Sequence, residues 1–534
     1  MIECSTLRVP YRQTNQFTPI VLDYIDQHKS LEPFYSNPAS FHGIKNAIEK
    51  SKKITTNRAL LVDELRKQYL TVTTTDSVKN NIELLLEENT FTICTAHQPN
   101  ILTGPLYFIY KILHAIKLAD QLQELMPENN FVPVFYMGSE DADFDELGHL
   151  NIHGEKLEWK TKQTGAVGRM KIDAGFLKLI ERLEGEVAVH PFGNEIIAVI
   201  KNCYQLNATV ELATFHFVNI LFQDYGLIVL LPDNASLKKG MIPVFENDLF
   251  SNTTNEIVEQ SSQKLAELYK VQASPREINL FYLKDNLRER IVHDKNSFRI
   301  LNSNLVFDEK QMLEELHQYP ERFSPNVILR GIYQETILPN IAFIGGGGEL
   351  AYWLQLKDLF KHFNTSFPVL VLRNSFLLTE PKWNEKIAKL NLQIEDFFKS
   401  ENELLNKIVE KESQKNLRLN GQSEKVEALY DEIKLQAETV DPTLSAHVVA
   451  LKITILNKLD QLEKKMLRAE KKNFISQQNQ IQEIRQQYFP KNGLQERVEN
   501  FIPFYAKFGK DFIDQLYRDS LSFEQEFTII QNRK

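Results

Sequence analysis

Two hydrophobic patterns alternate along the first 380 residues of the chain. One is a short apolar run that ends at Gly, Ser, Asn or His, as expected for a strand buried on both faces of a parallel sheet. The other has apolar residues every three or four positions, which predicts a helix. Strand, turn, helix and strand in this order form a right-handed βαβ unit, so the pattern predicts a doubly wound parallel sheet in an α/β core. The apolar runs are residues 91–95, 131–137, 227–231, 341–344 and 369–372, and the clearest helix is 105–125.

Two segments interrupt this alternation and are predicted to be insertions in a core that covers residues 1–380. Residues 151–220 combine polar strands with helices, and residues 236–330 begin helical and continue with short strands. Asp308 and Gln311 have the spacing of a capping box, so a helix is expected to begin there.

Residues 384–488 have a different composition, with few Gly and Pro and many Lys, Glu and Gln. Apolar residues step by three and four on both sides of Asp441-Pro442, where proline can begin a helix but not continue one. This near-heptad spacing predicts a long antiparallel coiled-coil hairpin. The aromatic-rich segment 489–534 is predicted to be helical and to pack back on the core.

Composition narrows the class of protein. The 534 residues are 43% hydrophobic and 25% charged, which is ordinary for a soluble protein of several domains. The net charge of −9 argues against nucleic-acid binding by bulk electrostatics. Cys4, Cys94 and Cys203 are too far apart for a disulfide framework and fit a reducing cytosol. No signal-peptide pattern or membrane-length apolar run is present, so we expect a cytoplasmic protein without a membrane partner.

The first candidate site is the turn between the strand at 91–95 and the following helix. Small residues there expose backbone N–H groups at a positive helix end, which favours phosphate or carboxylate. Gln98 and Asn100 could add neutral hydrogen bonds, and His97 could act as an acid or base or simply cap the helix. The alternative is a tight connection with no ligand.

The second candidate is the acidic loop that follows the strand at 131–137. It holds five carboxylates in the seven positions from 140 to 146, and such charges repel one another unless a cation is near. Glu140 and Asp141 are the favoured functional residues, as a general base, a magnesium ligand or an amine-binding site. The alternative is a solvated loop that caps the next helix.

The third candidate is the tetraglycine turn Gly345-Gly346-Gly347-Gly348, which precedes Glu349. Glycines let the backbone approach a ligand closely and bind an anion. Arg330 and Arg373 lie near strand ends and could each grip a carboxylate or phosphate, or form structural pairs instead. His149 and His153 have the spacing of a metal pair, but they read as part of a strand, so zinc is not expected.

Several short motifs occur in a fixed order along nearly the whole chain. They are His97-Gln98-Pro99-Asn100, Gly104-Pro105-Leu106-Tyr107 with Lys111, Ser139-Glu140-Asp141-Ala142-Asp143, Ser324-Pro325-Asn326 with Arg330, Gly345 to Glu349 with Tyr352-Trp353 and Gln355, and Leu494 to Val498. Together they resemble the bacillithiol biosynthesis cysteine-adding enzymes, a family of cysteine ligases. This chain departs from the family pattern at four positions, where it has His97 for Gln, Asn100 for Gly, Ala142 for His and Gly347 for Pro.

The resemblance implies a Rossmann-like core, a coiled coil that forms a homodimer, and addition of cysteine to the amine of glucosaminyl-malate. ATP is then the expected source of carboxylate activation, with magnesium left open. From the chemistry of the candidate segments, the predicted catalytic residues are Glu140, Asp141 and His97. The predicted substrate- or nucleotide-binding residues are Gln98, Asn100, Gly104, Tyr107, Lys111, Ser139, Asp143, Arg330, Gly345, Gly346, Gly347, Gly348, Glu349, Tyr352, Gln355 and Arg373.

Two other functions remain open at this point. One is a transferase that uses a nucleotide or a nucleotide sugar on the same fold, although the chain lacks a His-x-x-His or Lys-Met-Ser-Lys-Ser motif. The other is a dimeric coiled-coil protein that binds a metabolite without catalysis.

Overall fold

The computed structural model describes residues 4–532 and contains three sheets, one small hairpin and many helices. The strands are β1 (Cys4–Pro10), β2 (Thr90–His97), β3 (Asn130–Met137), β4 (His149–Ile152), β5 (Glu155–Glu158), β6 (Ile228–Leu230), β7 (Leu280–Lys284), β8 (Leu287–Asp294), β9 (Ser297–Ile300), β10 (Val306–Asp308), β11 (Phe323–Pro325), β12 (Asn340–Gly345), β13 (Val369–Leu372), β14 (Phe376–Thr379) and β15 (Glu526–Asn532).

The α-helices range from single turns to a helix of 28 residues. They are α1 (Tyr11–Thr14), α2 (Pro19–Ile25), α3 (Phe41–Ser51), α4 (Arg58–Tyr69), α5 (Asp76–Leu84), α6 (Tyr107–Leu125), α7 (Phe144–Leu147), α8 (Ala174–Val187), α9 (Gly193–Cys203), α10 (Val210–Phe222), α11 (Ala235–Lys238), α12 (Ile242–Phe250), α13 (Thr253–Ala266), α14 (Glu309–Gln318), α15 (Val327–Ile337), α16 (Gly347–Trp353), α17 (Lys357–His362), α18 (Pro381–Lys389), α19 (Glu401–Glu412), α20 (Asn420–Val440), α21 (Leu444–Lys471), α22 (Ile475–Tyr488), α23 (Ile502–Phe508) and α24 (Lys510–Asp519).

The central sheet has the strand order β13-β12-β2-β3-β6, and every neighbouring pair in it is parallel. All five predicted apolar runs are strands of this sheet, so the predicted doubly wound core is confirmed. Every residue of β2 is buried, as a strand covered on both faces requires. Because the strands are parallel, their carboxyl ends meet at one edge of the sheet.

Helix α6 packs against β2 and β3 and is buried on nearly every side. Its apolar residues, including Ala115 and Leu118, join Ile93 of β2 and Ile344 of β12 in the core. The three- and four-residue spacing of the apolar residues leaves Lys111 off their stripe, yet Lys111 is among the buried residues of α6. Lys111 is buried because its side chain reaches back to the end of β2, where its Nζ donates to the Ala96 carbonyl at 2.9 Å.

The predicted insertions carry their own sheets. Strands β4 and β5 form a small hairpin, and β7 to β11 form an antiparallel sheet in the order β10-β9-β8-β7-β11. The predicted capping box is present at α14, where the Gln311 N–H donates to Asp308 Oδ1 at 2.8 Å and the Asp308 N–H donates to Gln311 Oε1 at 3.0 Å.

The two ends of the described chain meet in a third sheet, with the order β1-β15-β14. The sequence predicted a helical segment after residue 489, and α23 and α24 are such helices, with α24 packed on α6. Strand β15 is a correction to that prediction. It pairs with β1 across more than 500 residues of sequence, so no local pattern indicates it.

The chain divides into two compact units, residues 1–378 with 493–534, and residues 379–492. In the second unit, α20 and α21 form the antiparallel hairpin that the apolar spacing predicted. Asp441 shapes the turn between them, because its Oδ1 accepts hydrogen bonds from both the N–H and the hydroxyl of Thr443 at 2.8 Å. Across residues 4–532, no helix is long and apolar enough to span a lipid bilayer.

Candidate active site

A cavity of about 960 Å³ opens where β2, β3 and β12 end, in the first unit. This volume suits a small-molecule site, and the position is the one expected for ligands of a doubly wound sheet. The acidic loop and the tetraglycine turn share it. The predicted residues that line the cavity are His97, Gln98, Tyr107, Lys111, Glu140, Asp141, Asp143, Arg330, Gly346, Gly347, Gly348, Glu349, Tyr352 and Arg373.

The turn after β2 does not present its backbone to the cavity in the predicted way. Asn100 and Gly104 lie outside the lining, and the N–H groups of Asn100, Thr103 and Gly104 donate to carbonyls within the turn. Gly104 has a φ of +61°, and a Cβ there would lie 2.7 Å from the Asn100 side chain. These two residues shape the turn rather than cradle an anion.

Gln355, Ser139 and Gly345 also lie behind the cavity wall. Gln355 is fully buried, and its amide bonds the backbone of Gln272 and Ala273, which are lining residues. Gly345 ends β12, and its carbonyl accepts the Arg373 N–H at 2.8 Å. The Ser139 carbonyl accepts the Gly168 N–H at 3.0 Å. Gln355 and Gly345 thus support residues that face the cavity, whereas Ser139 is bonded to a segment outside the lining.

A chain of polar contacts joins the turn after β2 to the acidic loop. His97 Nδ1 lies 2.6 Å from Gln98 Oε1, and Gln98 Nε2 donates to Asp141 Oδ2 at 3.2 Å. Arg288 Nη1 lies 3.7 Å from the other oxygen of Asp141. The Asp141 carboxylate is thus oriented from two sides while its side chain keeps 31% exposure.

The imidazole of His97 is buried and stacks on Tyr107, with ring centroids 5.2 Å apart and planes within 10°. Burial and the nearby Lys111 charge hold the pKa of His97 well below its usual value, so the ring is neutral near pH 7. Its Nε2 has no hydrogen-bond partner within residues 4–532. The Nε2 atom is therefore available for a hydrogen bond to a ligand.

Glu140 is tied into a buried ion pair that the sequence did not indicate. Its Oε1 accepts a hydrogen bond from Lys238 Nζ, and Lys238 is fully buried. Lys238 also donates to the Glu321 carbonyl at 3.2 Å and lies 3.7 Å from Asp233. Asp233 in turn forms a two-pronged pair with Arg169 at 2.7 and 2.8 Å.

The other carboxylate oxygen of Glu140 accepts from Ser324 Oγ at 3.3 Å, and Arg288 Nε donates to the same hydroxyl at 3.3 Å. Burial raises the pKa of Glu140, and Lys238 opposes that rise. Glu140 therefore has both oxygens engaged by the protein. Asp141 is the more accessible carboxylate of the two.

A second buried pair fixes the tetraglycine turn. Lys111 Nζ contacts Glu349 Oε2, and the same oxygen accepts the Gly346 N–H at 2.8 Å. Burial lowers the pKa of Lys111, and the Glu349 charge opposes that effect. The turn is thus anchored to α6, which leaves Gly347 and Gly348 as the glycines with backbone available to a ligand.

Arg373 lines the cavity but has a carboxylate partner of its own. Its Nη2 donates to Glu496 Oε1 at 2.7 Å, and Glu496 is fully buried. The guanidinium carbon lies 5.0 Å from the centroid of the Tyr107 ring. The structural alternative that the sequence left open for Arg373 is the one that these contacts support.

Arg330 has no such partner. Its guanidinium donates to the Tyr352 hydroxyl at 2.9 Å and to Gln334 Oε1 at 3.1 Å, and no carboxylate lies within 4.0 Å in the part of the chain that is described. Arg276 also lines the cavity without a carboxylate neighbour at that distance, again counting residues 4–532. These two positive charges are available to an anionic ligand.

Sequence reasoning missed several residues of the site because their partners are distant along the chain. They share no local motif, and each becomes visible only through an ion pair or the cavity wall. They are Arg169, Asp233, Lys238, Arg276, Arg288, Glu496 and Arg497.

The acidic loop caps the next helix and also faces the cavity. Asp143 caps α7, because its Oδ1 accepts the Glu146 N–H at 3.2 Å, yet Asp143 and Glu146 also line the cavity. Within residues 4–532, no three His, Cys, Asp or Glu side chains lie close enough together to hold a metal ion.

Comparison with known proteins assigns nearly the whole chain to one family. The family model "Bacillithiol biosynthesis BshC, N-terminal Rossmann-like domain" matches residues 3–374, and "Bacillithiol biosynthesis BshC, C-terminal coiled-coil domain" matches residues 376–532. Three relatives carry the name "Putative cysteine ligase BshC". They are from Flavobacterium johnsoniae (38% identical, covering 98% of this chain and 99% of the relative), Christiangramia forsetii (36%, 98% and 98%) and Cytophaga hutchinsonii (36%, 96% and 96%).

The parallel sheet and the helical hairpin define a Rossmann-like protein that carries a coiled-coil unit, and the names of its relatives assign it to the ligase class of enzymes. The chain belongs to the bacillithiol biosynthesis BshC family. The predicted family and fold are therefore confirmed.

Glu211, in the first turn of α10, gives the stability of the protein a testable pH dependence. Burial and the nearby Asp233 carboxylate raise the pKa of Glu211 to about 8. At a pH between the ordinary pKa of an unfolded-state Glu and the raised pKa of the folded state, the folded protein binds more protons than the unfolded chain. The stabilising contribution of Glu211 is therefore lost as the pH rises towards 8. We expect Glu211→Gln to become progressively more stable relative to the wild type between pH 5 and pH 8, as measured by urea unfolding. The exposed Glu181→Gln on α8 is the control, and an equal pH profile for Glu211→Gln and wild type would contradict the assignment.

Proposed function

We propose that the protein forms the amide bond between the cysteine carboxylate and the amine of glucosaminyl-malate, the last step of bacillithiol biosynthesis. One observation carries this proposal: a single cavity presents accessible carboxylates and unpaired guanidinium groups. Both substrates carry an amine and at least one carboxylate, so their charges complement the cavity. The names of the relatives support the same reaction class.

Asp141 is the proposed partner of the sugar amine. The amine must lose a proton as the amide forms, and a carboxylate held by Gln98 and Arg288 is suited to accept it. Glu140 has both oxygens engaged and is proposed to orient Ser324 and Arg288 instead. His97 is a second proposed base, since Ala142 stands where the family has His and the His97 ring is neutral.

Arg330 is the proposed contact for the malate carboxylates. A guanidinium group binds a carboxylate through two parallel hydrogen bonds, and Arg330 has no carboxylate partner within 4.0 Å across residues 4–532. Arg373 was the other candidate for this role. Because Arg373 is paired with Glu496, its proposed role is to stabilise the cavity wall.

ATP is the proposed energy source, because a carboxylate does not acylate an amine unless it is activated. The fit is partial. The turn after β2 has its N–H groups bonded internally, which leaves Gly347, Gly348 and the cavity arginines to hold phosphates. A Cβ at Gly348 would meet nothing within 4 Å, so its backbone is open to a ligand. A magnesium ion would need the nucleotide for most of its ligands, since the described side chains form no site of their own.

The coiled-coil unit is proposed to form the homodimer. Several apolar residues of α20 and α21 are exposed in the single chain, including Leu429 at 53%, Leu451 at 45% and Leu462 at 48%. Burying apolar seams of this kind is what drives helices to associate.

The reaction itself can be tested with purified protein, cysteine, glucosaminyl-malate and ATP, with bacillithiol detected by mass spectrometry. We expect Asp141→Asn to lower kcat by roughly 10²- to 10⁴-fold, because the variant cannot accept the proton. Asp145→Asn is the matched control, since Asp145 is an exposed carboxylate of the same loop outside the cavity lining. The absence of product with the wild type would contradict the proposed function, and equal kcat values for the two variants would contradict the role of Asp141.

Substrate recognition can be tested separately at Arg330. We expect Arg330→Gln to raise the KM for glucosaminyl-malate by roughly 10- to 100-fold, the usual effect of losing hydrogen bonds to a charged group. The control is Arg299→Gln, because Arg299 lies on β9 outside the lining. A KM for glucosaminyl-malate equal to that of the control would argue against the contact.

The assembly can be tested in the seam of α21. We expect the double variant Leu451→Glu/Leu462→Glu to be monomeric by light scattering after size exclusion, because buried charges in an apolar seam oppose association. Asn457→Glu places a charge at an exposed polar position of the same helix and should remain dimeric. A wild-type protein that is monomeric at micromolar concentration would contradict the proposal.

A further inference from the structure

Arg497 lines the cavity and ends the segment 494–497, which follows the second unit along the chain. Gln495 joins it to β14, because the Leu378 N–H donates to Gln495 Oε1 at 3.0 Å and Gln495 Nε2 donates to the Leu378 carbonyl at 3.2 Å. Glu496 accepts the Phe376 N–H at 3.1 Å. These buried contacts fix the backbone on which Arg497 stands.

Glu496 makes Arg373 and Arg497 differ, because it pairs with Arg373 only. Its carboxylate accepts hydrogen bonds from Arg373 Nη2 at 2.7 Å and from the Ser375 hydroxyl at 3.2 Å. The positive charge of Arg373 is therefore compensated by a buried carboxylate. Arg497 lines the same cavity, and no carboxylate lies within 4.0 Å of its guanidinium among residues 4–532. The exposed side chain of Arg497 leaves its charge available to a ligand.

We infer that Arg497 is a ligand-binding residue that contacts an oxyanion, either a carboxylate or a phosphate, and that Glu496 prevents Arg373 from doing so. The surroundings of Arg497 also support this role. Arg373 and Tyr107 form the adjacent part of the cavity wall, and Gly346 of the tetraglycine turn lies next to Arg373. Because the charge of Arg373 is already compensated by Glu496, an anion in this part of the cavity binds Arg497 instead. The inference deepens the proposed function but does not need product formation for its test.

The test is calorimetric titration of the full-length protein with L-malate in one arm and ATP in the other. We expect Arg497→Gln to weaken binding of at least one of these anions by about tenfold or more, as expected for the loss of charge-assisted hydrogen bonds. Arg497→Lys keeps the charge and should retain most of the affinity. Arg518→Gln removes an exposed arginine of α24 outside the cavity and should bind both anions like the wild type.

A complementary variant tests the part of the inference that concerns Glu496. Glu496→Gln removes the counter-charge of Arg373, so anion binding should become tighter than in the wild type, whereas simple damage to the fold would weaken it. If this variant does not fold, the Arg497 series still decides the inference. Unchanged binding of both anions by Arg497→Gln, or no binding of either anion by the wild type, would overturn it. Arg497-dependent binding without bacillithiol formation would instead overturn only the proposed function.

Discussion

The buried ammonium group of Lys238 is the contact on which the candidate site most depends. It lies between the carboxylates of Glu140 and Asp233 and bonds the carbonyl of Glu321, so three segments that are far apart in sequence converge on one charge. Removing one member of such a buried pair typically costs about 3–5 kcal/mol, because the other charge is left without compensation. The pair also determines which carboxylate a ligand can reach. Because Glu140 is bonded to Lys238 and Ser324, Asp141 is the more accessible of the two.

Buried ion pairs also fix the rest of the cavity wall. Lys111 is compensated by Glu349, and Arg373 is compensated by Glu496, so these cations stabilise the tetraglycine turn and the neighbouring wall. The arginines left without a carboxylate partner in the described chain are those that the cavity offers to a ligand, Arg330 among them. A site that binds charged ligands needs such a separation, because a cavity whose charges were all paired internally would offer none to a ligand.

Sequence patterns predicted the central sheet well, because strands buried on both faces appear as continuous apolar runs and end at small or polar residues. The acidic loop and the tetraglycine turn each follow a strand of this sheet, so parallel pairing brings them to the same edge. Sequence patterns could not predict Lys238 or Glu496, because a charge pair between segments about 100 residues apart has no local signature. The burial of Lys111 was missed for a related reason: helical spacing locates the apolar stripe but not a long side chain that reaches back along a strand end.

The most direct measurement is a crystal structure of the protein with glucosaminyl-malate bound. If the charges of the cavity select this substrate, its carboxylates will contact cavity arginines that lack an internal partner and its amine will lie beside Asp141. Binding outside this cavity, or with the amine turned towards Arg330, would contradict the assignment of the site.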